Sequence, residues 1–316
     1  MKQILLGNTS LHIAPIIFGG NVFGWTLNEQ ESFQMLDAIS DLGINCIDTA
    51  DVYSRWYNGN SGGESETIIG KWMKSRGNRE QFIICTKVGM DMGQGGVDIS
   101  EQHILKSVDD SLKRLQTDYI DLYYAHKDDE TTPPQETLGA FQKLIDAGKV
   151  RYIGASNFSA ARLEESITVS KNSELPLYRV IQPEYNLINR TDFEGDVERV
   201  CRKHELGVVT YFSLASGLLT GKYETEADVE KSSRTSFVKK HFNDRTRQIV
   251  ATLQNIAKTH HSSPAAVALA WILHHPTVTA PIVSATRKEH LKALEKAAFL
   301  ELTIDEKKML DKVSAN

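Results

Sequence analysis

Four side chains, Asp48, Tyr53, Lys87 and His126, have the types and the placement of a proton-transfer site. Asp48 follows the short run Ile44-Asn45-Cys46-Ile47, which reads as a buried parallel strand. A carboxylate at the end of such a strand is costly unless it meets a cation or several hydrogen-bond donors. Tyr53 lies five residues on, in the following loop. Lys87 ends the next apolar run, and His126 comes just past the one after that. Each has a plainer explanation too: Asp48 capping a turn or pairing with Lys87 for structure alone, Tyr53 packing, Lys87 extending from a strand end, His126 as a satisfied core histidine. Taken together, four complementary groups on consecutive strand ends point to chemistry.

A tyrosine titrates near ~10, so it is protonated at neutral pH but gives up its proton reluctantly. An ammonium about 4 Å away stabilises the phenolate by ~4 kcal/mol at a near-surface dielectric. That is ~3 pK units at most, because desolvation pushes the other way. Lys87 can act so only while charged, and Asp48 supplies the counter-charge that keeps it so. His126 is then free to hydrogen-bond a substrate oxygen and hold it against Tyr53. An acid aimed at a carbonyl oxygen needs a hydride partner. No metal set offers another path: HExxH is absent, and the adjacent pairs His260-His261 and His274-His275 cannot both face one site on a helix. Both pairs read as exposed helix ends.

These residues need a scaffold that gathers strand ends. Strands are expected at residues 16–18, 44–47, 82–87, 120–124, 151–155, 180–182, 207–211 and 278–283. Helices alternate with them at 29–42, 64–75, 100–115, 134–147, from 159, 192–204, 244–260, from 263, and 288–298. Asn28 and Ser159 are expected N-caps, and Pro264 an N1 proline. Residues 2–14 form a hairpin turning at Gly7-Asn8-Thr9, and Thr303 with Glu306 fits a capping box opening a last helix at 303–314. The pattern is α/β: a (β/α)8 TIM barrel with an N-terminal β-hairpin and an extra C-terminal helix, in one domain over residues 1–316. A doubly wound sheet is the alternative, for which Gly19-Gly20 offers only a poor glycine-rich turn. In a barrel the carboxyl ends of all strands share one face, where chemistry belongs.

Of the 316 residues 41% are hydrophobic and 24% charged, enough apolar material for a large core. The net charge of -5, without a dominant run of one sign, argues against nucleic acid or a membrane surface as partner. Cys46, Cys85 and Cys201 have no CxxC spacing and read as inert core thiols. No leader pattern and no membrane-length apolar run is present, so a cytoplasmic protein is expected.

With its quartet inside Ile47-Asp48-Thr49-Ala50-Asp51-Val52-Tyr53, Thr86-Lys87 and Tyr124-Ala125-His126, the chain resembles the aldo-keto reductase family over nearly its whole length. Further matches are Gly148-Lys149-Val150-Arg151-Tyr152-Ile153-Gly154-Ala155-Ser156-Asn157, Gln182-Pro183-Glu184-Tyr185-Asn186, Tyr211-Phe212-Ser213-Leu214-Ala215 and Gly217-Leu218-Leu219-Thr220-Gly221-Lys222-Tyr223. The resemblance implies metal-free reduction of an aldehyde or ketone by NADPH, or the reverse oxidation of an alcohol. It implies that Asp48, Tyr53, Lys87 and His126 form the catalytic tetrad. Ser156, Asn157 and Gln182 would hold the nicotinamide amide, and Tyr211 would stack on its ring. The loop with Ser213, Leu214, Gly217, Leu219 and Lys222 would cover the pyrophosphate, and Arg287 would meet a 2′-phosphate.

The adenosine segment departs from the family pattern at Ser284, His290 and Ala293-Leu294, which leaves NADH possible beside NADPH. Trp25, Trp56 and Tyr57, with His126, are candidates to line a substrate pocket, or else lid packing. The excursion at 216–243, with Phe237 and Phe242, reads as a flap over the cofactor. Two other readings stand beside a reductase: a nucleotide-binding regulatory or scaffold protein on the same barrel, and a metal-dependent barrel hydrolase using His126.

Overall fold

A computed structural model describes residues 1–315 apart from 231–234. The hairpin pairs β1 (Ile4–Leu5) with β2 (His12–Ile13), Ile4 opposite Ile13. Eight parallel strands follow: β3 (Ile17–Gly19), β4 (Cys46–Asp48), β5 (Ile83–Val88), β6 (Ile120–Ala125), β7 (Val150–Ser156), β8 (Val180–Gln182), β9 (Gly207–Thr210) and β10 (Ala280–Val283). They close in chain order, β10 pairing with both β9 and β3. Around them run α1 (Glu29–Asp41), α2 (Glu64–Arg76), α3 (Glu101–Leu115), α4 (Pro134–Asp146), α5 (Ala160–Asn172) and α6 (Asp196–Lys203). Then come α7 (Glu226–Glu230), α8 (Thr235–His241), α9 (Asp244–Thr259), α10 (Pro264–Leu273), α11 (Leu291–Ala297) and α12 (Ile304–Val313). The (β/α)8 barrel, the hairpin and the extra last helix are all present.

Local chemistry explains the element ends. Asn28 and Glu31 form a reciprocal capping box on α1, as Thr303 and Glu306 do on α12. Ser100, Ser159 and Ser263 cap α3, α5 and α10, the last with Pro264 at N1. Helix α6 starts four residues later than the sequence pattern suggests. Arg190 grips Glu194 (2.7 Å) in a turn, and Gly195, at φ 102°, breaks the chain just before Asp196. Strand β4 starts two residues later than expected, where the Asn45 side chain is bound to Ala14 N and His12 O, both at 2.8 Å, and runs one residue further to take in Asp48.

Alternation along the strands divides the core in two. Ile17, Cys46, Cys85, Leu122, Tyr124, Val180, Val209 and Ile282 point inward, and Leu6, Leu11 and Ile13 of the hairpin region plug the amino-terminal end. Phe18, Ile47, Ile84, Tyr123, Ile153 and Val208 point outward against the helices. Gly7 (φ +57°) lies so close to Gly207 that a Cβ would sit 2.5 Å from the Gly207 amide nitrogen, so only glycine fits where the plug enters.

Cys46, Cys85 and Cys201 are buried free thiols. Of the four histidines expected on exposed helix ends only His261 is exposed. His260 lies 2.8 Å from Glu306 and His274 3.1 Å from Glu301, while His275 packs edge-on to Tyr185 and Phe193. Among the described residues no helix is long and apolar enough to cross a membrane. The expected flap over 216–243 contains α7 and α8, and residues 231–234 of it lie outside the described residues.

Candidate active site

Strand register puts the four candidate residues on one rim. Gly19 pairs with Asp48, Asp48 with Cys85, and Lys87 with Tyr124, so their side chains rise from the inner face one layer above Cys46 and Cys85. His126 follows β6, its amide bonded to Val88 O at 2.8 Å. The loop after β4 is pinned at Asp51 N to Lys87 O (3.2 Å), which turns Tyr53 back over the rim. Glu64, at the start of α2, holds the far side of that loop by accepting from Ser54 N (3.2 Å), Ser61 N (2.8 Å) and Gly62 N (3.0 Å).

Lys87 is wholly buried. Its ammonium donates to Asp48 Oδ1 (2.5 Å), Thr49 O (2.8 Å) and Tyr53 Oη (3.4 Å). The other oxygen of Asp48 accepts from Gln182 Nε2 at 2.9 Å. Burial alone would discharge the lysine, but Asp48 and then Tyr53 outweigh it, and Lys87 is held above its ordinary value as an ammonium. Burial likewise pushes Asp48 upward against the pull of Lys87 and Gln182. The Thr49 carbonyl carries no side-chain signature, so sequence could not reveal this third ligand of the ammonium.

Tyr53 corrects the sign expected from spacing. Burial raises its hydroxyl, Lys87 lowers it, and Asp48 and Asp51 raise it again, leaving a net rise. Tyr53 is therefore a phenol at neutral pH, and the ammonium restrains a rise that burial would otherwise make larger. His126 lies edge-on to Tyr53 with ring centroids 6.0 Å apart. Burial first, then the charge of Lys87, holds it well below its ordinary value, so it is a neutral imidazole; its Nδ1 is buried without a partner.

The candidate nicotinamide residues form one hydrogen-bonded set beside this quartet. Tyr211 Oη donates to Asn157 Oδ1 (2.7 Å). Asn157 Nδ2 donates to Ser156 Oγ (3.0 Å) and His126 O (2.9 Å), and Ser156 Oγ donates to Gln182 O (2.8 Å). The amide groups and the aromatic face fit a flat amide-bearing ring. In the loop after β9, φ is positive at Ala215 (47°), Ser216 (56°) and Gly217 (92°), and the Ala215 and Gly217 amides donate to Phe212 O (2.6 Å) and Leu214 O (2.9 Å) within the turn. A Cβ on Gly217 would sit 3.0 Å from Lys222 Nζ, so the glycine lets that ammonium fold onto the loop. Leu214 lies half-buried in it. Ser213 and Leu219 are buried, Ser213 Oγ donating to Thr210 O (2.9 Å) and the Leu219 amide to Leu214 O (3.3 Å). Arg287 is exposed, and with Lys222 it depresses His290 after burial has done so, which places three basic groups in one neighbourhood.

Trp56 packs edge-on to Tyr53 (5.5 Å) and Trp25 edge-on to Trp56 (5.6 Å), making an aromatic wall beside the phenol. Tyr57 is half exposed on the same turn, and among the described residues no ring contact joins it to Tyr53. Among the described residues no group of three or more His, Cys, Asp or Glu could hold a metal ion.

Comparison with known proteins gives the family. The pattern of the Aldo/keto reductase family matches residues 15–315. The chain is 34% identical to the "Uncharacterized oxidoreductase YrpG" of Bacillus subtilis (strain 168), over 99% of this chain and 96% of that protein. It is 34% identical to a "Probable voltage-gated potassium channel subunit beta" of Oryza sativa subsp. japonica, over 93% of this chain and 92% of that protein. It is 31% identical to the "L-glyceraldehyde 3-phosphate reductase" of Escherichia coli (strain K12), over 92% and 86%. The chain belongs to the aldo-keto reductase family and is an oxidoreductase of that kind, one that works on carbonyl groups with a nicotinamide cofactor.

Proposed function

We propose that this oxidoreductase reduces aldehydes or ketones to alcohols with NADPH, or runs the reverse reaction, using Tyr53 as the proton donor. The observation that carries the reading is the buried ammonium of Lys87, neutralised by Asp48 and 3.4 Å from Tyr53 Oη. The nicotinamide, when bound, supplies the hydride received by the carbonyl carbon. Tyr53 gives its phenolic proton to the carbonyl oxygen, and water later returns one. Lys87 stabilises the phenolate left behind, and Asp48 keeps Lys87 charged. His126, a neutral imidazole edge-on to Tyr53, donates a hydrogen bond that holds the substrate oxygen in reach.

Ser156, Asn157 and Gln182 hold the carboxamide, and Tyr211 lies against the ring. The loop from Ser213 to Lys222 takes the pyrophosphate, and Arg287 meets the 2′-phosphate. Trp25 and Trp56 line the substrate side. The test is Tyr53→Phe: cofactor binding, read by fluorescence quenching, should persist while turnover drops by about 10²-fold or more. Undiminished turnover would remove Tyr53 from the acid role.

A second reading has one observation in its favour: relatives in rice and Arabidopsis thaliana at 34% and 33% identity carry the name of potassium channel subunit beta. On that reading the barrel senses nucleotide and its turnover is incidental. Co-purification with an unrelated partner, with negligible rates over a panel of aldehydes under both NADPH and NADH, would favour it.

A further inference from the structure

We propose that Asp51 is a positioning residue of the proton-donating site, kept as the uncharged acid so that the charge of Lys87 acts on Tyr53 undivided. The proposal rests on the reductase reading above. Its basis is a count of buried charges behind the quartet. Lys87 is matched by Asp48 (2.5 Å). Arg114, from α3, is matched by Glu66 of α2 (2.7 Å) and spends a second donor on Ser111 Oγ (3.1 Å). The other oxygen of Glu66 accepts from Thr86 Oγ1 at 2.6 Å. Asp51 is left over. It is 2% exposed, among the described residues no side chain donates to either carboxyl oxygen, and the Val52 amide nearby favours its charge less than burial and Glu66 oppose it. A bare carboxylate there would cost far more than the neutral acid.

The groups facing it from each neighbouring element agree. Glu66 on α2 repels its charge; Arg114 on α3 and Lys87 on β5 attract it, but each is already paired. The buried hydroxyl of Tyr123 on β6 is pushed well up by burial and then by Asp51 and Glu66, against Arg114 and Ser111, so it stays a phenol. Asp48 and Tyr53 flank Asp51 in its own segment. Burial, then Glu66, pushes Asp51 up to about 8. The consequence has a definite sign. An ionised Asp51 adds to the charges that raise Tyr53, so reduction slows as the pH climbs through the titration of Asp51.

The experiment uses the whole protein, with Asp51→Asn as the isosteric, always uncharged variant and near-ultraviolet circular dichroism to verify its fold. Infrared difference spectra between pH 7 and pH 9 should show a protonated carboxyl band in the wild type that vanishes on raising the pH and is missing in Asp51→Asn. In parallel, kcat for reduction of a simple aromatic aldehyde should fall about five- to tenfold over that interval in the wild type, the span of one group titrating midway. In Asp51→Asn it should fall less than about twofold. Glu66→Gln, which frees Arg114 to pair with Asp51, should move both the band and the decline to lower pH. Superimposable pH profiles, or no Asp51-dependent band at pH 7, overturn the proposal. A band in a protein that turns over no carbonyl sinks the reductase reading and the role of Asp51 with it; turnover without the band sinks the Asp51 proposal alone.

Discussion

Replacing Lys87 by methionine removes one charge and little volume, and its effect can be worked out from the geometry. At 3.4 Å from Tyr53 Oη, a unit charge stabilises a phenolate by about 5 kcal/mol at an effective dielectric of 20. That is a ceiling of between three and four pK units, at about 1.36 kcal/mol each. Tyr53 already lies above its ordinary value because burial outweighs Lys87; without the ammonium it moves further up and becomes a weaker donor. Proton donation by a placed side chain is worth about 10² to 10⁴ in rate, so kcat should drop within that range. Cofactor affinity should fall far less than kcat, because Ser156, Asn157 and Tyr211 are bonded to one another and to His126 and Gln182 carbonyls, and only Gln182 reaches the pair, through Asp48 (2.9 Å). Asp48 loses its counter-charge and takes up a proton, which keeps the fold from carrying a bare buried anion. The assay is single-turnover reduction of an aromatic aldehyde, with cofactor binding read separately by fluorescence. A kcat within about tenfold of wild type, in a variant that binds cofactor and unfolds cooperatively, would refute the claim that the Lys87 charge drives the acid.

Two further outcomes follow from the same geometry. Arg287→Ala should weaken NADP+ binding by about ten- to a hundredfold, the worth of a charged hydrogen bond to phosphate. NAD+ binding should stay within about twofold, and titration calorimetry with both nucleotides decides; equal losses would remove Arg287 from the 2′-phosphate. The second outcome concerns His126, which is held neutral in the fold with its value well below the ordinary one. In the unfolded chain it takes up a proton below about 6.5, so the stability it protects is present above that pH and lost as the pH falls through it. Between pH 6.5 and 5 the loss is up to about 2 kcal/mol, and His126→Gln should unfold with a correspondingly flatter acid dependence. Parallel urea midpoints for the two proteins over that range would show the neutral-imidazole argument to be wrong.

What was legible in the sequence was whatever depends on short range. Asn28 as an N-cap and Thr303 with Glu306 as a capping box announce helix starts because their hydrogen bonds span three residues. The rim position of Asp48, Lys87 and His126 was legible too, since a parallel barrel converts strand end into place on one face. Long-range terms were not. Whether Tyr53 ends above or below its ordinary value depends on how much protein encloses it, and spacing carries no such information. The exposure expected for His260, His274 and His275 failed for the same reason, as their partners Glu306, Glu301 and Tyr185 lie far along the chain. Spacing does not single out Asp51, because Glu66, Arg114 and Tyr123 sit on three other elements.

The placement of charge says why such groups persist in a core. A buried ion pair is poor value for stability, since desolvation offsets most of its attraction and an apolar pair of the same volume often does better. Lys87 and Asp48 nevertheless lie in the inner row directly above Cys46 and Cys85, where Leu122, Val180 and Ile282 show that apolar side chains fill the same barrel. Every hydrogen-bonding capacity of the pair that the structure accounts for points at the rim: Lys87 to Thr49 O and Tyr53, Asp48 to Gln182. A pair kept only to hold strands together would have no need to end on a phenol and on the Gln182 amide, which is proposed to hold the nicotinamide. The ammonium is therefore best understood as a fixed charge held in low dielectric, where the barrel wall prevents it from relaxing and, among the described residues, the hydroxyl it hydrogen-bonds is that of Tyr53.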